Sequence, residues 1–348
     1  MSTSTPPRHA LSRYRHMKRL LWIGSPFFSP ALPACGWELC AINFENLAVF
    51  SWADLVARAG WEPDVLVVAD KSRLPFVLGV EDMPCLTAAY CVDTHIHSWL
   101  PFYAQAFDLC LVSLRDHLQF FTNKALGEKH VHWFPAFAKD DDRPGPLEEE
   151  WDCLFVGTLS AEKTPKRIAF LQELRALVPG LHAVRGAYRQ LLPKGRVALN
   201  HCEAGDLNFR VFEALGCGAC LLTPSIGHGL LDLFQDGVHL VTYNEGDAQD
   251  AARCIQALLA NPLKRSLLRT AGLAAIDAGH RSRHRAEEFS RLLRAYPQPL
   301  IRKRRQRAAS IRKHWLRIIY LHMAETEADP RMREAYLQAA QGAFSTTA

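Results

Sequence analysis

The sequence predicts an α/β protein of two Rossmann-like domains in tandem, followed by a helical tail. Three observations lead there. Short, uninterrupted apolar runs alternate with helical stretches, the pattern of a parallel sheet covered on both faces. The alternation stops in the middle of the chain and then restarts. The length, 348 residues, exceeds one ordinary domain and makes two the natural expectation.

The elements follow in order. Residues 1–17 are polar and read as a flexible N-terminus. Strands are expected at residues 19–24, 65–69, 85–92 and 109–113, with a weaker candidate at 37–42. Helices are expected between them at 52–59, 99–106 and 116–126, which makes 18–138 the first domain. Residues 139–150 combine acids, two prolines and a glycine, the composition of a solvated linker. The second domain, 151–297, restarts with strands at 153–157, 182–184, 196–200, 219–223 and 238–242. Its helices are expected at 163–177, 208–215, 247–259, 263–271 and 285–295. The tail is 298–348. In it 300–323 reads as one basic helix whose apolar face carries Ala308, Ile311, Trp315, Ile318, Ile319 and His322, and 336–344 reads as a short closing helix.

Composition excludes several classes. Hydrophobic residues make 49% and charged residues 22% of the chain, as in a packed globular protein rather than a disordered one. No apolar run reaches the ~18 residues of a membrane span, and the N-terminus lacks an apolar signal core. A cytoplasmic protein with reduced thiols is therefore expected. Cys217 and Cys220 form a CxxC, but no second pair stands at zinc spacing. The formal charge is +5, yet residues 302–317 alone hold eight Lys or Arg and no acid. The rest is close to neutral, which argues against a nucleic-acid partner. The basic helix has three readings: packing on the N-terminal domain, contact with a membrane surface or anionic partner, and self-association. The second would place the protein peripherally on the inner membrane face.

The most specific segment runs from Asp206 to Thr223, Asp-Leu-Asn-Phe-Arg-Val-Phe-Glu-Ala-Leu-Gly-Cys-Gly-Ala-Cys-Leu-Leu-Thr. It resembles the nucleotide-sugar site of GT-B glycosyltransferases, and within them the branch related to the CgeB spore-maturation proteins, with its N-x-R-x-F-E-A pattern. Residues 229–243, Asn261-Pro262 and 281–285 extend the resemblance, which covers most of 19–295. It implies GT-B architecture, with two Rossmann-like domains facing a cleft. It further implies a UDP-sugar or similar nucleotide-diphosphate sugar as co-substrate, no other cofactor and no metal. The implied activity is hexosyl transfer to an acceptor, a protein or a glycan.

Residue chemistry supports this. A helix opening near Asn208, Phe209 and Arg210 presents unpaired N–H groups to a diphosphate. Glu213 is the residue the resemblance assigns to the ribose diol. Eight positions earlier, where many GT-B enzymes carry a further glutamate, stands Gly205, with Asp206 beside it. Gly157 and Thr158 close the strand before Arg167 and Lys163, the cations expected against the diphosphate, since a guanidinium matches phosphate bidentately. Gly24 ends the first strand and would allow close approach of a ligand. In the first domain Asp93, His95 and His97 follow a strand's carboxyl end, where the resemblance places the acceptor-side general base. His97 shares a face with His95 if the strand continues. Three other readings stand beside transfer: a nucleotide-sugar epimerase, a non-catalytic nucleotide-sugar-binding scaffold, and a metal-dependent hydrolase using the Asp93-His95-His97 cluster.

Overall fold

The computed structural model describes residues 19–46, 48–122, 126–296 and 299–343. The N-terminal stretch 1–17 and Phe344, the expected end of the closing helix, lie outside them. The chain divides into two units. The first holds residues up to 113, 117–134 and 286 onward; the second holds 114–116 and 135–285.

Unit 1 is built on β1 (Arg19–Gly24), β2 (Glu38–Ile42), β3 (Val65–Ala69), β4 (Leu86–Cys91), β5 (Leu109–Val112) and β6 (Val131–Trp133). They form one parallel sheet in the order β2-β1-β3-β4-β5-β6. Helices α1 (Trp52–Ala59), α2 (Leu100–Tyr103) and α3 (Leu118–Phe121) lie among them. Every residue of β3 and β4 is buried, which is why these strands read as continuous apolar runs rather than alternating ones. The loop between Ala69 and Leu86 brings Phe76 and Val77 into the same core. The short β6 has no long apolar run and is not legible as a strand in the sequence.

Unit 2 repeats the plan. Strands β7 (Trp151–Val156), β8 (Leu181–Val184), β9 (Gly195–Leu199), β10 (Leu221–Pro224) and β11 (Val241–Tyr243) form a parallel sheet in the order β11-β10-β9-β7-β8. Its helices are α4 (Pro165–Leu177), α5 (Tyr188–Leu191), α6 (Phe209–Gly216), α7 (Leu230–Leu233), α8 (Ala248–Leu259) and α9 (Pro262–Gly279), and α10 (Ser282–Ala295) follows. Read from β8, the order is second, first, third, fourth, fifth, as it is in unit 1. In such sheets the connections leave in opposite directions between the first and third strands, opening a crevice at their carboxyl ends. In unit 2 those strands are β7 and β9; in unit 1 they are β1 and β3.

Residues 139–150 are only partly the solvated linker that their composition suggests. Asp142 is fully buried. One of its oxygens accepts from Tyr188 Oη at 2.8 Å and Arg189 Nε at 2.6 Å, the other from Lys139 N at 2.7 Å. Arg281, also fully buried, donates to the carbonyls of Lys139 (3.0 Å) and Asp142 (2.7 Å). A buried carboxylate needs donors, and these come from positions that local composition does not reveal.

The tail is a second correction. Residues 300–323 do not form one helix. Helix α11 (Pro299–Gln306) ends before Arg307, α12 (Ala308–Ile311) follows, and a π turn over Arg312–Leu316 leads into α13 (Arg317–Thr326) and α14 (Pro330–Gln341). The extra residue of a π turn rotates the following helix. Leu316, Ile319, Tyr320 and Met323 therefore pack into the unit 1 core, while Ile318 points outward at 65% exposure. Arg304 fixes this packing. It is buried and donates to Val80 O (3.0 Å), Met83 O (2.6 Å), Cys85 O (2.9 Å) and Thr87 Oγ1, with Asp108 3.5 Å from its Nε. Burial pushes the Asp108 carboxyl up, and Arg304 is the main influence opposing it. Removing Arg304 leaves the buried Asp108 without its counter-ion, with only Thr87 N and Oγ1 donating to it, and several carbonyls without their donor. Arg304→Ala should destabilise unit 1 by about 3–5 kcal/mol, and Arg304→Met combined with Asp108→Asn should recover part of it. Urea unfolding of the three proteins checks this.

Candidate active site

The unit 2 crevice begins at Phe155 in β7. Its ring lies 5.5 Å from the guanidinium carbon of Arg167 and 5.3 Å from that of Arg210. Arg167 sits in the first turn of α4, is buried, and donates to Thr158 O at 3.0 Å and His201 O at 3.4 Å. Arg210 sits in the first turn of α6 and donates to Asn200 Oδ1 at 3.5 Å. Neither guanidinium has a carboxylate within ion-pair distance among the described residues. Burial lowers the pKa of both, and each stands near the other's charge, which lowers that of Arg210 further. An aromatic ring close to both cations attracts each of them without neutralising either.

Gly157 is glycine for a steric reason. A Cβ there would stand 2.8 Å from Arg210 Nη2 and 2.9 Å from the Phe155 ring. The N-termini of the two helices differ. That of α4 is occupied: Glu203 accepts from Lys166 N (3.0 Å) and Arg167 N (2.9 Å), a carboxylate at the positive end of the helix dipole. That of α6 has no side-chain cap. Asn208 holds the N-cap position with extended backbone, but its amide turns away to Asn200 (3.5 Å) and Cys202 Sγ (3.3 Å). Phe209, next to it, packs edge-on against Phe137 at 5.3 Å.

Glu213 lies one turn beyond Arg210, lining a narrow cleft with Val156, Tyr188 and Arg210. Its carboxylate makes no hydrogen bond or ion pair among the described residues. Burial raises its pKa, and Asp142 raises it further against the pull of Arg210. A separate depression of about 880 Å³ is lined by Lys166, Phe170, His201, Glu203, Gly205 and Glu245, among others. Gly205 has a left-handed φ of 71°, which disfavours a side-chain-bearing residue where related sequences carry glutamate. Lys163 is exposed in the loop before α4, and Thr158 contributes its carbonyl to Arg167.

In unit 1, β4 ends at Cys91 and the chain turns at once. Asp93 O accepts from Ile96 N and His97 N, both at 3.0 Å. The strand does not continue, so His95 and His97 do not share a strand face as expected. The turn is held by a residue that the motif reading overlooked: Asp70, buried at the end of β3, accepts from Val92 N (3.0 Å), Asp93 N (2.8 Å) and Ser72 N (2.8 Å). An acid directly after an apolar strand was its only signal. His97 Nε2 lies 3.2 Å from Ser72 Oγ, and Thr94 Oγ1 lies 2.8 Å from His117 Nδ1. Among the described residues no group of three or more His, Cys, Asp or Glu side chains is arranged to hold a metal. Asp93, His95 and His97 do not form such a group. Gly24, with φ 114°, is required by the fold itself, since a Cβ would run into the carbonyl of Ala69 on the neighbouring strand.

Comparison with known proteins places these features. Residues 166–291 match a family described as Glycosyl transferase-like; the match includes Arg167, Asn208, Phe209, Arg210 and Glu213. No curated protein matches the sequence. Among solved structures, sucrose-phosphate synthase from Thermosynechococcus elongatus aligns with a TM-score of 0.57 at 12% identity, over 80% of this chain and 98% of that one. Anabaena HepE in complex with UDP and glucose aligns with 0.57 at 12% identity, over 81% and 100%. A glycosyltransferase from Rickettsia africae ESF-5 aligns with 0.50 at 8% identity, over 86% and 100%. At such identities the likeness is one of fold, and the fold is that of the GT-B glycosyltransferases.

Two histidines of unit 2, the buried His201 and the half-buried His280, generate a pH prediction. Burial, aided by Arg167, pushes His201 down to about 4; burial, aided by Arg285, does the same to His280, whose Nδ1 faces Arg285 Nη2 at 3.3 Å. Both values are depressed from an ordinary 6.5. Between pH 6.5 and 4 the unfolded chain thus binds protons that the folded one refuses, and stability falls as pH falls. Above 6.5 neither contributes. His201→Asn and His280→Asn should each remove about one proton from the slope of unfolding free energy against pH in that window, as measured by denaturant titration at several pH values.

Proposed function

We propose that this chain transfers a hexose from a UDP-sugar to a protein or glycan acceptor, without a metal ion. The observation that carries the reading is the pair of unpaired guanidiniums, Arg167 and Arg210, at the crevice between β7 and β9. Largely buried positive charge with no carboxylate at ion-pair distance among the described residues is stabilised by an anionic ligand, and a diphosphate fits both forks. The uncapped N-terminus of α6 adds backbone donors aimed at the same anion. Glu213, with a carboxylate free to accept, takes the ribose diol. The neighbouring depression has the volume of a small-molecule site and holds the sugar. HepE, which shares the fold, is solved with UDP and with UDP-glucose, and the nucleotide is proposed on that ground. The N-x-R-x-F-E-A pattern at Asn208 to Ala214 supports the CgeB-related branch in this reading.

Chemically, departure of UDP develops negative charge on the β-phosphate. Arg167, Arg210 and the α6 amides are preorganised for that charge, so stabilisation of the leaving group needs no reorganisation. In unit 1, Asp93 or His95 serves as the base that lifts the acceptor hydroxyl's proton, and Asp70 sets the turn that carries them. The reading predicts UDP-glucose turnover, observed as UDP release, that rises with the correct acceptor.

Two results test the assignments. UDP affinity should weaken as pH falls through the raised pKa of Glu213, because the protonated acid accepts one fewer hydrogen bond. Glu213→Gln should bind more weakly, by about 1.5–3 kcal/mol per bond lost, and should lose that pH dependence; calorimetric titration of UDP decides, and unchanged affinity removes Glu213 from the site. Asp93→Asn or His95→Ala should lower transfer about 10²–10⁴-fold while UDP affinity stays within experimental error of wild type. A matched fall in turnover, affinity and melting temperature would instead make the turn structural.

A further inference from the structure

The buried stripe of the C-terminal tail is spent on unit 1, which leaves the chemistry of its outward face to be explained. Of the eight cations in 302–317, three are tied to unit 1 acids: Arg304 to Asp108, Arg305 to Asp82 and Arg312 to Glu81. Arg302, Lys303, Lys313 and Arg317 are exposed and have no acidic partner among the described residues. From the π turn through His322 of α13 the exposed positions are Lys313, His314, Arg317, Ile318, Leu321 and His322. They form two adjacent rows at i, i+4 spacing: Lys313, Arg317, Leu321 and His314, Ile318, His322. The first acid on this face is Glu325. Ile318 and Leu321 are 65% and 42% exposed. Phe102, 40% exposed, joins them through Trp315, whose ring centroid lies 6.2 Å from its own.

We infer that this face of the tail docks the protein on an anionic lipid surface. Protruding aliphatic and aromatic side chains ringed by unpaired cations are what an anionic bilayer interface accepts: the apolar tips enter the acyl boundary and the cations meet the headgroups. A bilayer supplies both partners at once. An acidic protein would have to match the protruding Ile318, Leu321 and Phe102 with a pocket as well as supply charge. Attachment here is shallow and electrostatic. No helix among the described residues is long and apolar enough to cross a membrane.

Co-sedimentation of the full chain with vesicles tests the inference. Vesicles of phosphatidylcholine containing phosphatidylglycerol should pull the protein down at low salt, vesicles of phosphatidylcholine alone should not, and high salt should release it. Lys313→Ala combined with Arg317→Ala should weaken partitioning roughly 25-fold, at roughly fivefold per cation, and Ile318→Ser should weaken it further. UDP affinity and melting temperature, read on the same variants, should not move. Equal pelleting with neutral and anionic vesicles, no pelleting at low salt, or variants that partition like wild type would overturn it. So would a concentration-dependent dimer of the wild type that Ile318→Ser abolishes, since the face would then belong to a second copy of the chain.

Discussion

The constraint on which the unit 2 site depends is two guanidiniums held close to one aromatic ring with no carboxylate at ion-pair distance among the described residues. Burial disfavours both charges, and Arg167 further disfavours that of Arg210, so the folded protein carries an electrostatic cost that other residues are arranged to limit. Phe155 places a quadrupole beside both cations. The carbonyls of Thr158 and His201 and the Asn200 amide oxygen accept from them. Gly157 leaves room for Arg210 by having no side chain. The nearest acids are turned to other work: Glu203 caps α4 through backbone N–H groups, and Glu213 is left open. A protein optimising stability alone would pair these charges. In the proposed reading the anion that completes them is the substrate.

The sheet order explains why the residues meet. Arg167 follows β7 and Arg210 follows β9, separated by more than forty positions in sequence. The crossover between first and third strands brings the two carboxyl ends side by side. Unit 1 uses the same order and puts Gly24 and Asp70 at its own crevice. There the polar investment goes into a turn: a buried aspartate collecting three backbone N–H groups, with Asp93, His95 and His97 carried on it.

Legibility in the sequence followed the range of the interactions. The buried strands announced themselves because both faces are apolar, and the start of α6 was expected near Asn208. Arg167, Arg210 and Glu213 were found from a local motif. What stayed hidden depends on partners far along the chain. Asp142 looked like part of a solvated acidic run, because nothing nearby shows that Tyr188, Arg189 and Arg281 close over it. The basic helix breaks at Arg307 and changes register again through a π turn over Arg312–Leu316, and a one-residue change of register leaves little trace in composition. Tyr188 beside Glu213 had no signal at all, since α5 is too short for periodicity.

The central claim is that the crevice is completed by a diphosphate rather than by a sugar or base alone. Calorimetric comparison of UDP with uridine, on the wild type and on Arg210→Ala, tests it most directly. Each charge-assisted hydrogen bond to phosphate is worth about 1.5–3 kcal/mol, so UDP should bind at least ~100-fold more tightly than uridine, and Arg210→Ala should remove most of that advantage while leaving uridine binding unchanged. UDP and uridine binding alike to the wild type, or an advantage that survives in Arg210→Ala and Arg167→Ala together, would contradict it.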